Sequence, residues 1–366
     1  MSAVSLLMNH ITELTKSLIT FQSIHSRPDE IKRCADFICD YLAENTIDFR
    51  RYEFGQTPSI LVAPQKRHPR ILLMAHFDVV DGPVYAFQPF VQNGALFGRG
   101  SLDDKYAVAL SLVLVKAFIE DYRKKGLEQE DIPLGILLTG DEEAGGENGA
   151  NKILPFVKPE FCIALDGGSV DELITKEKGI AQLKLVSKGK SAHGSRPWLG
   201  ENAIDRLIAD YHRIKELFDM NTPDNWHRTL NLSRIHAGSS FNQVPGLAEA
   251  VFDIRYTEND DINQLIDLIR QSIQSELLVI RKEPLFIAQP SPYLDLLLEI
   301  NPDLRTTSEH GSSDARFLSM HGINGVVWGA NGDLSHHSEK EHVNIDSVFA
   351  LYQKLSRFIY KSSEIN

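Results

Sequence analysis

The sequence predicts an α/β protein: a mostly parallel sheet with helices on both faces, interrupted by an inserted β-α-β-β-α-β domain. Three observations carry this. At 366 residues with 42% apolar content, the chain exceeds what one core ordinarily supports, so two domains are expected. Short, uninterrupted apolar runs at 59–63, 71–75, 134–138 and 161–165 have the length and composition of strands buried on both faces. From about Gly179 the pattern changes to amphipathic strands and helices in a new order.

In chain order, amphipathic helices are expected at 4–20 and 28–45, the second with Pro28 in its first turn. The buried runs follow, with a helix at 106–120 between the second and third. Ligands in such sheets gather beyond the carboxyl ends of the strands. Strand 181–187, helix 201–217, strands 228–236 and 248–256, helix 261–275 and strand 277–281 give the split βαβ order of ferredoxin-like domains. A segment that completes this unit and then returns to α/β pattern reads as an insertion. The expected domains are therefore 1–178 with 289–366, and an inserted 179–288.

The net charge of −12, with no block of lysine or arginine, argues against nucleic acid or an acidic membrane as partner and for a small diffusing substrate. No apolar run reaches the length of a membrane span. Cys34, Cys39 and Cys162 form no C-x-x-C pair and read as reduced thiols. The opening MSAVSLLMNHITELTK lacks the basic start of a secretory signal, and a cytoplasmic location is expected.

Five segments carry possible chemistry. In Met74-Ala75-His76-Phe77-Asp78, a buried strand delivers His76, which can bind a metal. Alternation puts Asp78 on the same side, where its carboxylate could hold the imidazole tautomer; a surface histidine beside an acid is the plainer alternative. The loop from Gly98 to Lys105 places Asp103 and Asp104 before a helix, as a bridging ligand or as simple helix caps. Asp141, Glu142 and Glu143 follow a buried strand, where adjacent carboxylates repel unless cations compensate them. Asp166 precedes two glycines, as a ligand or a turn residue. His336 and His337 lie in a late polar loop. Individually, none of the five is decisive.

Together, H-x-D, G-R-G-x-x-D-x-K, D-E-E, G-K-x-A-H and a late H-x-x-x-E occur in the order that resembles the two-zinc metallopeptidases. That family includes aminoacylase, acetylornithine deacetylase, succinyl-diaminopimelate desuccinylase, glutamate carboxypeptidase and tripeptidase. The resemblance spans nearly the whole chain. It implies His76, Asp103, Glu143, Asp166 and His337 as ligands of two divalent ions, Zn²⁺ foremost with Co²⁺ or Mn²⁺ as alternatives. Asp103 would bridge, and Glu142 would be the general base. His337 is preferred over His336 because Glu341 lies four residues beyond it. Asp81, where proline is usual, and Asp166-Gly167-Gly168, in place of Glu-Pro, depart from the commonest pattern; the latter resembles tripeptidases.

The resemblance further implies that the inserted domain is a lid through which two copies pair. Its His193 would steady an oxyanion across the interface, while Asn242 and Arg255 would bind a substrate carboxylate and Ser312 and Ser313 the substrate loop. The expected activity is hydrolysis of an amide bond in a small peptide by a water that Glu142 activates between two zinc ions. The alternative is an N-acyl amino acid deacylase, and the remote one a catalytically silent binding protein.

Overall fold

In the computed structural model, which describes residues 3–365, the chain divides into two compact units. The first comprises Met1–Lys176, Ile287–Glu309 and Ser313–Asn366, the second Glu177–Phe286 and His310–Ser312.

In the first unit, adjacent strands of the main sheet run in the order Arg50–Phe54, Thr57–Val62, Leu134–Thr139, Ile71–His76, Phe161–Ala164, Gly325–Val327 and Glu172–Glu177. The four strands from Leu134–Thr139 to Gly325–Val327 pair in parallel, and their residues are fully buried. Both flanks are antiparallel. The run at 59–63 is a buried strand, as expected, and is one of the antiparallel members of this mostly parallel sheet. Thr57–Val62 turns back from Arg50–Phe54 through Gly55 and Gln56, both at positive φ, as a two-residue hairpin does. It is buried because the helix Pro28–Glu44 packs on it, so its apolar composition reports burial and not direction. The helix Lys105–Lys124 has 13 buried residues, and packs on the central strands and on Ala3–Ile19 and Ile345–Ser362.

The sheet of the second unit has the order Thr229–Ala237, Leu247–Tyr256, Gly179–Lys188, Glu276–Glu283, with every neighbouring pair antiparallel. The helices Ala203–Glu216 and Ile262–Ser272 complete the ferredoxin-like unit. Leu247–Tyr256 alternates buried and part-exposed residues along its length, so one face packs on the helices.

Candidate metal centre

Parallel pairing explains why distant residues meet. His76 ends Ile71–His76, opposite Thr139 on one side, while Met74 lies opposite Ala164 on the other. The three strands end together, and the turns leaving the flanking two carry Glu142 with Glu143, and Asp166. Asp103 enters from the loop before Lys105–Lys124. Gly100 permits that loop at φ +82, where a Cβ would meet Val79 at 2.8 Å and Lys105 at 2.9 Å.

Asp103 faces two ways. Its Oδ1 lies 2.9 Å from His76 Nε2, and its Oδ2 lies 3.0 Å from His337 Nε2. His76 Nε2 is also 3.8 Å from Asp166 Oδ2, and His337 Nε2 is 3.2 Å from Glu143 Oε1. Two three-donor groups result: His76, Glu142 and Asp166 present donor atoms within 4.8 Å of one another, as do Asp103, Glu143 and His337. His76 is buried at 1% exposure, and its Nε2 has no aligned hydrogen bond despite the nearby carboxylates. A buried nitrogen of that kind calls for a partner, and imidazole with carboxylate oxygens suits Zn²⁺ or a related divalent ion. The residues therefore fit the metals expected of them.

The electrostatics agree with a cation site. Burial would lower the His76 pKa, but Asp103, Asp166 and Asp78 raise it well above the imidazole range. Burial would raise Asp103, yet His337 and His76 hold it below the carboxylate range. Burial, then the charges of Asp166 and Asp314, push Glu142 well upward. Burial likewise raises Glu143. Asp103 and Glu143 lift His337 to about 10.

Asp78 does more than hold the imidazole, to which its Oδ1 comes within 3.4 Å at Nδ1. His76 Nδ1 hydrogen-bonds the backbone carbonyl of Asp78 at 2.9 Å, while the Asp78 carboxylate accepts the amides of Glu142 at 3.2 Å and Glu143 at 3.0 Å. Buried backbone donors need acceptors, and the acidic turn supplies two beside Asp78. The residue thus orients both the imidazole and the turn. His337 lies on a loop in which Asp333, Leu334 and His337 itself adopt φ of 51°, 54° and 59°, a region costly for side-chain-bearing residues. Its ring meets Asp103 and Glu143.

Several charged neighbours had no role assigned from sequence. Arg316, buried, places Nη1 3.4 Å from Glu142 Oε1, and Asp314 is pushed up to about 7 by burial. Arg99 and Glu341 form a buried ion pair. Their motif positions were visible, but a partner 242 residues away was not. Ser313 is buried, and its hydroxyl accepts the Ala315 amide. Ser312 Oγ is buried without a hydrogen bond.

Within the second unit, His193 pairs with Gln243, its Nδ1 hydrogen-bonded to Ser195 at 2.8 Å, and Asn242 O accepts the Gly194 amide. Arg255 sits at the other end of Leu247–Tyr256. There it bonds Asp253 at 2.7 Å and lines a cleft of about 250 Å³ with Lys178, Asn225, Thr229 and His310. From Leu247 to Arg255 a strand spans about 27 Å. One copy of this unit therefore brings His193 and Asn242 together, and leaves Arg255 apart from them.

Residues 175–280 match the peptidase dimerisation domain of the M20 group. The succinyl-diaminopimelate desuccinylase of Wolbachia pipientis subsp. Culex pipiens is 27% identical, over 96% of this chain and 94% of its own. That of Hydrogenovibrio crunogenus is 26% identical over 98% and 99%. A tripeptidase from Staphylococcus aureus has a TM-score of 0.77 at 19% identity, covering 98% of this chain and 99% of its own. The M20 metallo-carboxypeptidase of Sulfolobus solfataricus has a TM-score of 0.74 at 16% identity, with both chains fully covered. With the five ordered motifs and the paired donor groups, these likenesses support placing the chain with the M20 metallopeptidases.

Proposed function

We propose that the chain is a metal-dependent hydrolase that cleaves the amide bond of a small peptide. The observation that carries this is Asp103, whose two oxygens face two separate imidazole-bearing groups. In this reading His76 and Asp166 hold one ion, Glu143 and His337 the other, and Asp103 both. Bound divalent ions would polarise the substrate carbonyl and acidify water. Glu142 takes the proton from water and returns it to the leaving amine. Arg316 holds the Glu142 carboxylate in place, and Asp78 fixes the turn that presents it.

A homodimer formed through the second unit fits the dimerisation-domain match and the separation of His193, paired with Gln243 before Leu247–Tyr256, from Arg255 near the far end of that strand. His193 would donate to the oxyanion of the partner's site, and Asn242 and Arg255 would bind a substrate carboxylate from different copies. Three free thiols suit a cytoplasmic setting. No helix among the described residues is long and apolar enough to cross a membrane.

An N-acyl amino acid deacylase is the second reading, favoured by the near full-length desuccinylase relatives. The test is product detection by mass spectrometry after zinc-loaded protein meets dipeptides, tripeptides, and N-acetyl and N-succinyl amino acids. Peptide cleavage alone supports the first reading and acyl cleavage alone the second. Bound zinc without any cleavage would point to a silent binding protein.

A further inference from the structure

Arg99 and Glu341 are 4% and 2% exposed, and Arg99 Nη1 donates to Glu341 Oε2 at 2.6 Å. The other carboxylate oxygen, Glu341 Oε1, accepts the amides of Leu102 at 3.1 Å and Asp103 at 3.2 Å. Arg99 Nη2 donates to the carbonyl of His337 at 3.2 Å. The Gly98 amide donates to the Glu341 carbonyl at 3.1 Å, closing the loop at its start. One ion pair thus grips the backbone of Asp103 and of His337, two donors of the same three-residue group. His76 in the other group is placed by its strand, without contact to this ion pair, while the Asp78 carboxylate holds the turn amides of Glu142 and Glu143, one in each group.

Burying two charges costs desolvation that apolar residues of similar volume would avoid, so this pair is poorly explained as a device for stability alone. Backbone contacts to two ligand residues explain it better, because groups behind the ligands orient them and tune affinity.

We propose that Arg99 and Glu341 are positioning residues for one of the two ions: they set the Asp103–Glu143–His337 group, and losing the pair weakens that ion selectively. The assignment rests on the two-ion reading above. His76 with Asp166 retains the other ion, because neither residue is bonded to the pair. Asp103 also keeps its side chain in reach of His76, so the first ion loses little.

The test strips metal from wild type, Arg99→Met and Arg99→Lys, then titrates Zn²⁺, with native mass spectrometry counting ions and calorimetry giving each affinity. Methionine keeps much of the volume and removes the charge. Lysine keeps the charge and loses the fork that spans Glu341 and His337; it is also the safer variant should the methionine protein fail to fold. The expected result is one ion bound as in wild type and one weakened by roughly 10–100-fold, with the lysine variant between. Thermal unfolding of the metal-free proteins is read in parallel, since a merely structural pair would lower that midpoint without separating the two affinities. Equal weakening of both ions, or wild-type affinity for both in the lysine variant, overturns the proposal. Wild-type protein that takes fewer than two ions overturns the two-ion reading beneath it, which distinguishes the two failures.

Discussion

Replacing Glu142 by glutamine separates its two possible roles. Its donor atom clusters with those of His76 and Asp166, so geometry alone allows a ligand as well as a base. Glutamine has the same shape and keeps an oxygen for Arg316 Nη1, now 3.4 Å away, but it cannot carry a proton between water and amine. General acid–base catalysis contributes roughly 10²–10⁴-fold, so kcat should fall by that factor, about 2.7–5.4 kcal/mol at 1.36 kcal/mol per decade. Burial already favours the neutral form of Glu142, so the unfolding midpoint should stay close to wild type. Turnover is followed on the best substrate from the panel, and bound zinc by mass spectrometry on the same preparation. Two ions retained with turnover lost is the expected result. Loss of an ion together with activity would refute the base assignment and make Glu142 a ligand.

Four further outcomes are expected. His193→Ala should lower kcat by roughly 10²–10³-fold, and mixing it with Glu142→Gln should restore activity, because a hybrid dimer contains one site with neither defect; no recovery on subunit exchange would exclude action across an interface. Asp103→Ala should abolish binding of both ions in calorimetry, whereas survival of two ions would show that it does not bridge. Chelation should end hydrolysis and lower the unfolding midpoint, since an ion at 100 times its Kd adds about 2.7 kcal/mol; an unmoved midpoint would mean that the donors bind no ion tightly. The His337 pKa is raised from 6.5 to about 10 in the folded chain, so its contribution is complete below about pH 6.5 and lost as pH rises through about 10. In metal-free protein the stability gap between wild type and His337→Gln, from urea midpoints, should therefore close across that window, and a constant gap would contradict the pairing.

Much of the fold was legible because burial and period leave a mark on composition. The runs ending at His76, Thr139 and Ala164 are apolar throughout, and their parallel pairing aligns the residues that follow. Pairing direction left no such mark: Thr57–Val62 looks the same as its parallel neighbours, and only the Gly55-Gln56 turn hints that it folds back. In the second unit, alternation in Leu247–Tyr256 announced one packed face. The donors were readable because several acids after buried strands are hard to explain without cations. What escaped was nonlocal. Arg99 and Glu341 are ordinary charges until the fold buries them together, Arg316 meets Glu142 only in three dimensions, and the Asp78 carboxylate turns to amides that no spacing rule identifies.

The loop bearing His337 also offers a handle for protein engineering. Leu334 is 87% exposed and held at φ 54°, a conformation that costs a leucine about 1–2 kcal/mol and returns nothing in packing. Asparagine tolerates this conformation better, so Leu334→Asn should raise heat tolerance while removing an exposed apolar group. Glycine, by contrast, would relieve the same strain yet free the backbone three residues before His337. A designer seeking a longer-lived catalyst would therefore choose the substitution that keeps the loop stiff over the one that merely makes it comfortable.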